Sequence, residues 1–307
     1  MKSIQYFKKL KKDKNKKLKF IDDFVVRFQM AKNDEKSLKK EIVNLINKNE
    51  NDKSFKNYID CYNYLNSTKF YQVKKDLNIM VSIEKIILKI LKKNRMINKF
   101  IKGIEFPITL RIAHPKKPKQ VTKYQTNLIH CDPWAGEPKD LINIVIYLSV
   151  SKNASKLNIY KTDEKLIRIN ERNTNYYKSK KFMRTRKYFS YIKNYENASK
   201  CKVKHKNGFG YMFNGFVPHN TIREGNKVRI SIECRLRTDS PYSNLKLFLK
   251  KMNRGGRYWL LPPNKKILNF KNRLFHELKN IKKEKNSKRK IKMRKIELEK
   301  FYNYAQV

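Results

Sequence analysis

Acidic residues are scarce in this chain of 307 residues: 26 Asp and Glu stand against 75 Lys and Arg, a formal net charge of +49. So basic a chain is attracted to polyanions, but net charge argues about association and not about fold. Lysine occurs in nearly every segment rather than in one stripe, so a lysine-covered surface is the simpler reading and a nucleic-acid partner the weaker one. Cysteine is also sparse. Cys61, Cys131, Cys201 and Cys234 lie far apart with no CxxC pair, which excludes a thiolate zinc cluster or a disulfide framework and suits a reducing compartment. No uncharged run approaches the roughly 20 residues of a membrane span. The N-terminus, Met1-Lys2-Ser3-Ile4-Gln5-Tyr6-Phe7-Lys8-Lys9, has no apolar signal-peptide core. The expectation is a cytoplasmic protein with no membrane span. No internal repeat is visible.

The chain is long enough to bury a sizeable core, and its pattern changes along its length. Residues 1–100 read as a mostly helical region packing on a core. Ile79, Ile83, Ile86, Ile87, Ile90 and Leu91 form an amphipathic stripe, and the run from Lys8 to Lys19 reads as a solvated arm. From about Gly103 the period becomes that of strands. Ile108 to Ala113, Tyr124 to Asp132, Leu141 to Val150, Leu157 to Tyr160, Gly208 to Val217 and Lys227 to Arg237 all read as β. In the last, Val228, Ile230, Ile232, Cys234 and Leu236 share one face, while Arg229, Ser231, Glu233, Arg235 and Arg237 share the other. The polar face either looks at water or lines a pocket, and its nearness to His219 favours the pocket. Residues 163–200 interleave basic and aromatic side chains. They suit an insertion packed on the domain, or a lid over a substrate. Residues 241–307 read as a basic helical extension.

His130 and Asp132 stand two positions apart at the end of a β-reading run, where side chains share a face. His219 supplies a third ligand in Phe216-Val217-Pro218-His219-Asn220-Thr221. Two imidazoles and one carboxylate, with other positions open, make the facial triad of non-haem Fe(II) oxygenases. Arg229 follows ten residues after His219, with Ser231 on the same face, and this pair can anchor a dicarboxylate. A permanently charged guanidinium offers such a group paired hydrogen bonds. Trp134, Gln125, Asn127 and Arg223 line the candidate substrate pocket by proximity. His114, His205 and His276 lack supporting neighbours and are left out of the ligand set.

This ordered set resembles the Fe(II)/2-oxoglutarate-dependent dioxygenases, and within them the phytanoyl-CoA-dioxygenase-like branch. The resemblance covers roughly residues 105–240. It rests on the His130-x-Asp132 pair, on Gly208-Phe209-Gly210-Tyr211-Met212-Phe213 leading to His219, and on Arg229-x-Ser231. Asp132-Pro133-Trp134-Ala135-Gly136-Glu137-Pro138 is similar to small bacterial relatives near sugar and aminoglycoside biosynthesis.

The resemblance implies a mainly β fold with flanking helices: a double-stranded β-helix (jelly-roll or cupin-like) core over 101–240. It implies a catalytic and metal set of His130, Asp132 and His219, Arg229 and Ser231 as co-substrate anchors, and Fe(II), 2-oxoglutarate and O₂ as cofactors. The implied reaction is hydroxylation of a small molecule, such as a sugar or a saccharide-biosynthesis intermediate, and the basic chain suits an anionic one. No acyl-CoA-recognising segment is present, so phytanoyl-CoA itself is not implied. The alternatives are a nucleic-acid or acidic-glycan binding protein on a jelly-roll without turnover, and another cupin-type metal enzyme such as an epimerase, which has no use for Arg229.

Overall fold

Nine consecutive residues, Leu141 to Ser149, are all buried and form the strand β5 (Leu141–Ser149) at the centre of the fold. A strand apolar on both faces must be covered on both. On either side it pairs antiparallel with β7 (Phe209–Asn214) and β9 (Arg229–Arg237). This computed structural model describes residues 1–50, 52–68, 73–74, 76–106, 108–115, 129–135, 137, 139–172, 198–239 and 258–260. The remaining strands of the large sheet are β1 (Lys19–Asp22), β2 (Val25–Gln29), β3 (Gly103–Phe106), β4 (Thr109–Ala113) and β10 (Tyr258–Leu260). Its order is β1-β2-β7-β5-β9-β3-β10, with β4 also on β9. A second sheet pairs β6 (Lys156–Ile159) with β8 (His219–Ile222).

The chain alternates between these sheets. It leaves β4 in the large sheet, touches the small one at the His130–His219 bridge, returns in β5 and crosses again to β6. Tyr160 and Lys200 bridge beside β6, then β7, β8 and β9 continue the alternation. That winding is a double-stranded β-helix. The face of β9 bearing Arg229, Ser231, Glu233 and Arg235 pairs across with Tyr147, Val145 and Asn143 of β5. The opposite face carries Ile230, Ile232, Cys234 and Leu236, all in the hydrophobic core.

The helices α1 (Lys2–Lys12), α2 (Lys32–Asn49), α3 (Tyr58–Ser67) and α4 (Leu77–Lys93) belong to that same core. Asp76 caps α4 by accepting from the Ile79 amide at 3.0 Å. Met80, Ile83, Ile87, Ile90 and Leu91 are buried along its stripe.

The N-terminal region departs from its expected form in two places. Lys8 to Lys12, expected to be a solvated arm, lie in α1, whose Ile4, Tyr6, Phe7 and Leu10 are buried. The helical spacing of four apolar residues outweighs the lysines between them. Tyr6 donates to the Met96 carbonyl at 2.6 Å and touches the Met212 sulfur at 3.4 Å, fixing α1 to the sheet. Second, the region is not wholly helical. β2 extends the large sheet by pairing Val25 with Phe213 and Arg27 with Tyr211, as the β-branched Val25-Val26 favours. In the C-terminal extension, expected to be helical, β10 pairs with β3. The rest of that extension lies outside the described residues.

Gly210 sits on β7 under the ring of Phe28, its cross-strand partner, where a Cβ would meet three ring carbons. Gly210→Ala should therefore destabilise the protein by about 1–3 kcal/mol, the range for overpacking a filled core. Phe28→Leu in the same chain should recover part of the loss. Urea midpoints of the two variants check this, and an unchanged midpoint for Gly210→Ala would contradict the close packing.

Candidate metal centre

His130 and His219 face each other across the small sheet as a hydrogen-bonded antiparallel pair. The His130 amide donates to the His219 carbonyl at 3.0 Å, and the His219 amide donates back at 2.9 Å. Directly opposed residues of such a pair project to the same side, and the two rings lie 4.4 Å apart between centroids. Nδ1 of His219 lies 3.0 Å from the Val217 carbonyl. Donation there leaves Nε2 as the lone-pair nitrogen, the second contact by which metal-binding imidazoles are commonly oriented.

Asp132 completes the group by a different route from the one its spacing suggests. It does not continue the strand but opens a 3-10 turn, Asp132–Ala135. Its Oδ1 lies 3.7 Å from His130 Nε2 and 3.6 Å from His219 Nε2, and one donor atom from each residue falls within 4.8 Å of the others. Bonds of about 2.1 Å at right angles place neighbouring donors roughly 3 Å apart. Small side-chain rotations close that difference. Two imidazoles and one carboxylate oxygen suit a divalent ion such as Fe(II). Cys131, between the two ligands, points away and hydrogen-bonds the Phe216 carbonyl at 3.1 Å.

The other carboxylate oxygen is already engaged. Arg235 Nε donates to Asp132 Oδ2, and Nη2 forms an ion pair with the same oxygen, both at 3.0 Å. It also donates to Asn143 Oδ1 at 3.1 Å and pairs with Glu105 at 3.4 Å. Burial alone would push the Asp132 carboxyl up; the Arg235 guanidinium, helped by the two imidazoles, overrides it and holds the group well below the usual carboxylate range. Likewise, burial disfavours the Arg235 cation, yet Asp132 and Glu105 hold its pKa above the ordinary value. One oxygen is therefore locked to arginine while the other faces the histidines.

Arg229 is fully buried, and its Nε, Nη1 and Nη2 have no hydrogen-bond partner among the described residues. The Glu233 carboxylate stands 3.9 Å from its Nη2, and the Tyr147 ring centroid lies 6.0 Å from its guanidinium carbon. Burial depresses the Arg229 pKa, and the like charges of Arg111 and Arg223 add to the depression against Tyr147 and Glu233. Ser231 Oγ is also buried and unpartnered among the described residues. Its strand neighbours are Tyr147 on β5 and Arg111 on β4. Buried polar groups are ordinarily satisfied, and an exception calls for an explanation. A guanidinium beside a hydroxyl is a donor set that would suit an anion.

Of the other residues singled out by sequence, Arg223 is half-buried and donates to the His114 carbonyl at 3.1 Å, and its charge acts on Arg229. The backbone of Trp134 lies in the 3-10 turn; its side chain, with Gln125 and Asn127, falls outside the described residues. In the basic-aromatic stretch, the helix α5 (Glu164–Arg172) is described, and its Asn170 donates to the Phe216 carbonyl at 3.0 Å. Residues 173–197 fall outside. Arg235, Asn143, Glu105, Arg111 and Tyr147 were not picked out individually from the sequence. For Arg235 a signal existed in its alternation with Arg229 on β9.

No family model matches the chain, and no curated protein matches it. Among solved structures it is similar to an N-substituted L-amino acid dioxygenase from Burkholderia ambifaria AMMD, at 10% identity and a TM-score of 0.37. The same enzyme in complex with alpha-KG gives 11% identity and a TM-score of 0.36. Each comparison covers 83% of this chain and 90% of that one. At this distance the strand order and the buried donors must carry the reading by themselves. Among the described residues, no helix is long and apolar enough to cross a membrane.

Replacing Arg235 by Met should remove the buried cation that Asp132 and Glu105 share. Removing one partner of a buried pair costs about 3–5 kcal/mol, read from chemical denaturation of the metal-free protein. The Asp132 contribution is complete above its unfolded pKa of about 3.9. It is lost as pH falls toward the lower folded value. The variant's stability should therefore depend less on acidification between pH 5 and 3 (about that range). A loss below about 1 kcal/mol would mean that these carboxylates do not depend on Arg235.

Proposed function

We propose that this protein is an Fe(II)/2-oxoglutarate-dependent oxygenase acting on a small molecule, with His130, Asp132 and His219 holding the metal and Arg229 and Ser231 holding the far carboxylate of 2-oxoglutarate. The observation that carries this is the buried Arg229, without a hydrogen-bond partner among the described residues and on the same strand face as the Arg235 that holds Asp132. A fully desolvated guanidinium is costly unless an anion completes it. An epimerase-type metal enzyme would bear that cost for no purpose. When bound, ferrous iron, 2-oxoglutarate and O₂ supply the oxidation of an unactivated C–H bond.

The chain's own residues orient and exclude. The Val217 carbonyl fixes the His219 tautomer. Arg235 keeps Asp132 ionised and leaves one of its oxygens to face the two histidines. Ser231 and Arg229 present O–H and N–H donors from fully buried positions, where charge-assisted bonds are strong. The phytanoyl-CoA-dioxygenase-like branch remains our reading of His130-x-Asp132 and Arg229-x-Ser231. A saccharide-type substrate rests only on the phrase from Asp132 to Pro138.

With Fe(II) added anaerobically and O₂ then admitted, the protein should convert 2-oxoglutarate to succinate even without its substrate, at a low rate. His130→Ala and Asp132→Ala should abolish this. Arg229→Ala should weaken 2-oxoglutarate binding to the Mn(II)-loaded protein by about 100-fold, as expected for losing two charge-assisted hydrogen bonds. Equal 2-oxoglutarate affinity in wild type and Arg229→Ala would overturn the assignment.

A further inference from the structure

Asn143 is the one amide side chain on β5, where the residues from Leu141 to Leu148 are otherwise aliphatic or aromatic. It is 4% exposed. Arg235 opposes it on one side and Phe213 on the other, and directly opposed residues of neighbouring strands project to the same face of a sheet. Both neighbours touch a residue of the triad. Arg235 Nε lies 3.0 Å from Asp132 Oδ2, and the Phe213 ring packs edge-on against the His219 ring at 5.0 Å between centroids. Asn143, in the middle of this row, therefore faces the side of the triad where Asp132 Oδ1 and His219 Nε2 stand 3.6 Å apart.

Hydrogen-bond chemistry fixes which way the amide points. A guanidinium N–H can only donate, so the atom that Arg235 Nε meets at 3.1 Å is Oδ1. The same Nε also serves Asp132 Oδ2, so one donor holds Asn143 and Asp132 side by side. With Oδ1 turned to Arg235, Nδ2 is turned away from it. Nδ2 is buried and has no hydrogen-bond partner among the described residues. Accepting from Arg235 accounts for Oδ1 and leaves the two N–H groups without a purpose. A leucine of similar shape would fill the space without the cost of desolvating them. The amide nitrogens of Asn158 and Asn214 are also unpartnered among the described residues. What sets Asn143 apart is its row, flanked on both sides by residues that touch the triad.

We infer that Asn143 is a co-substrate-binding residue, whose Nδ2 donates a hydrogen bond to a carboxylate oxygen that the keto-acid end of 2-oxoglutarate brings to the metal. It serves the end of that molecule opposite to the one given to Arg229 and Ser231. The inference rests on the oxygenase reading for the identity of the keto acid, but any carboxylate ligand of the metal offers the same acceptor. An anionic acceptor strengthens such a bond. A side chain already pinned at Oδ1 has little freedom left to lose in making it.

Oxalate is the probe, because its two carboxylates chelate a metal and leave nothing to reach Arg229. Asn143→Leu should weaken oxalate binding to the Mn(II)-loaded full chain about tenfold. Its Mn(II) affinity should stay unchanged, because Arg235 still holds Asp132. Asn143→Asp keeps an acceptor for Arg235 and loses the N–H donors, so it should weaken oxalate at least as much. Both variants should lose 2-oxoglutarate affinity by a similar factor, whereas Arg229→Ala should lose 2-oxoglutarate and keep oxalate. In the anaerobic Fe(II) protein, the visible charge-transfer band of the chelated keto acid should shift in Asn143→Leu, since a hydrogen bond to the chelating carboxylate alters its donation to iron. Oxalate affinity equal to wild type in both variants overturns the inference. So does a fall in Mn(II) affinity that matches the fall in oxalate affinity, because Asn143 would then act only through Arg235 and Asp132. Should wild type bind Mn(II) and oxalate but not 2-oxoglutarate, the oxygenase reading fails, and the oxalate comparison still decides the role of Asn143. A wild type that binds no Mn(II) contradicts both.

Discussion

Two backbone hydrogen bonds, exchanged between His130 and His219, are the constraint on which the site depends. They join segments distant in the chain through atoms that every non-proline residue possesses, so the geometry is imposed by the fold and not by the imidazoles. Given that pairing, both rings must project to one side of the small sheet. The turn that begins at Asp132 then brings a carboxylate between them. The winding between sheets is what delivers this bridge. Without β5, β7 and β9 locked as a buried centre, there is nothing against which the small sheet can hold its register.

Strand β9 divides the molecule's two tasks between its faces. One face, Ile230, Ile232, Cys234 and Leu236, joins the hydrophobic core shared with the helices. The other lines up Arg229, Ser231, Glu233 and Arg235 against β5 and β4. Buried charge on this scale is unfavourable unless it is compensated. At the Arg235 end the compensation is internal, through Asp132, Glu105 and Asn143. At the Arg229 end, the guanidinium nitrogens of Arg229 and the Ser231 hydroxyl have no hydrogen-bond partner among the described residues. The Arg235 end thus holds Asp132 in place, and the Arg229 end carries the donors that our proposal gives to an anion.

Much of this was legible from sequence, for identifiable reasons. The apolar run of β5 and the alternation of β9 are periodic signals that burial explains directly. The His130-x-Asp132 spacing and the step from His219 to Arg229 drew attention to residues that the structure gathers or buries. What stayed hidden was hidden by composition. The amphipathic stripe of α1 is overlaid by lysine, so its Ile4, Phe7 and Leu10 do not stand out. Arg235 is one basic residue among 75, and only the fold shows that its fork lies on a carboxylate. Nor does spacing reveal that Asp132 leaves the strand for a 3-10 turn. A side chain two residues from His130 reaches the same place from either conformation.

The most direct test is a crystal structure of the protein grown with Mn(II) and 2-oxoglutarate in the absence of oxygen. The account predicts one ion bonded to His130 Nε2, His219 Nε2 and a single oxygen of Asp132. Arg235 should still hold the other oxygen, and the far carboxylate of 2-oxoglutarate should rest on Arg229 and Ser231. An ion bound elsewhere, or an Arg229 that remains without an anion while 2-oxoglutarate is seen in another place, would contradict it.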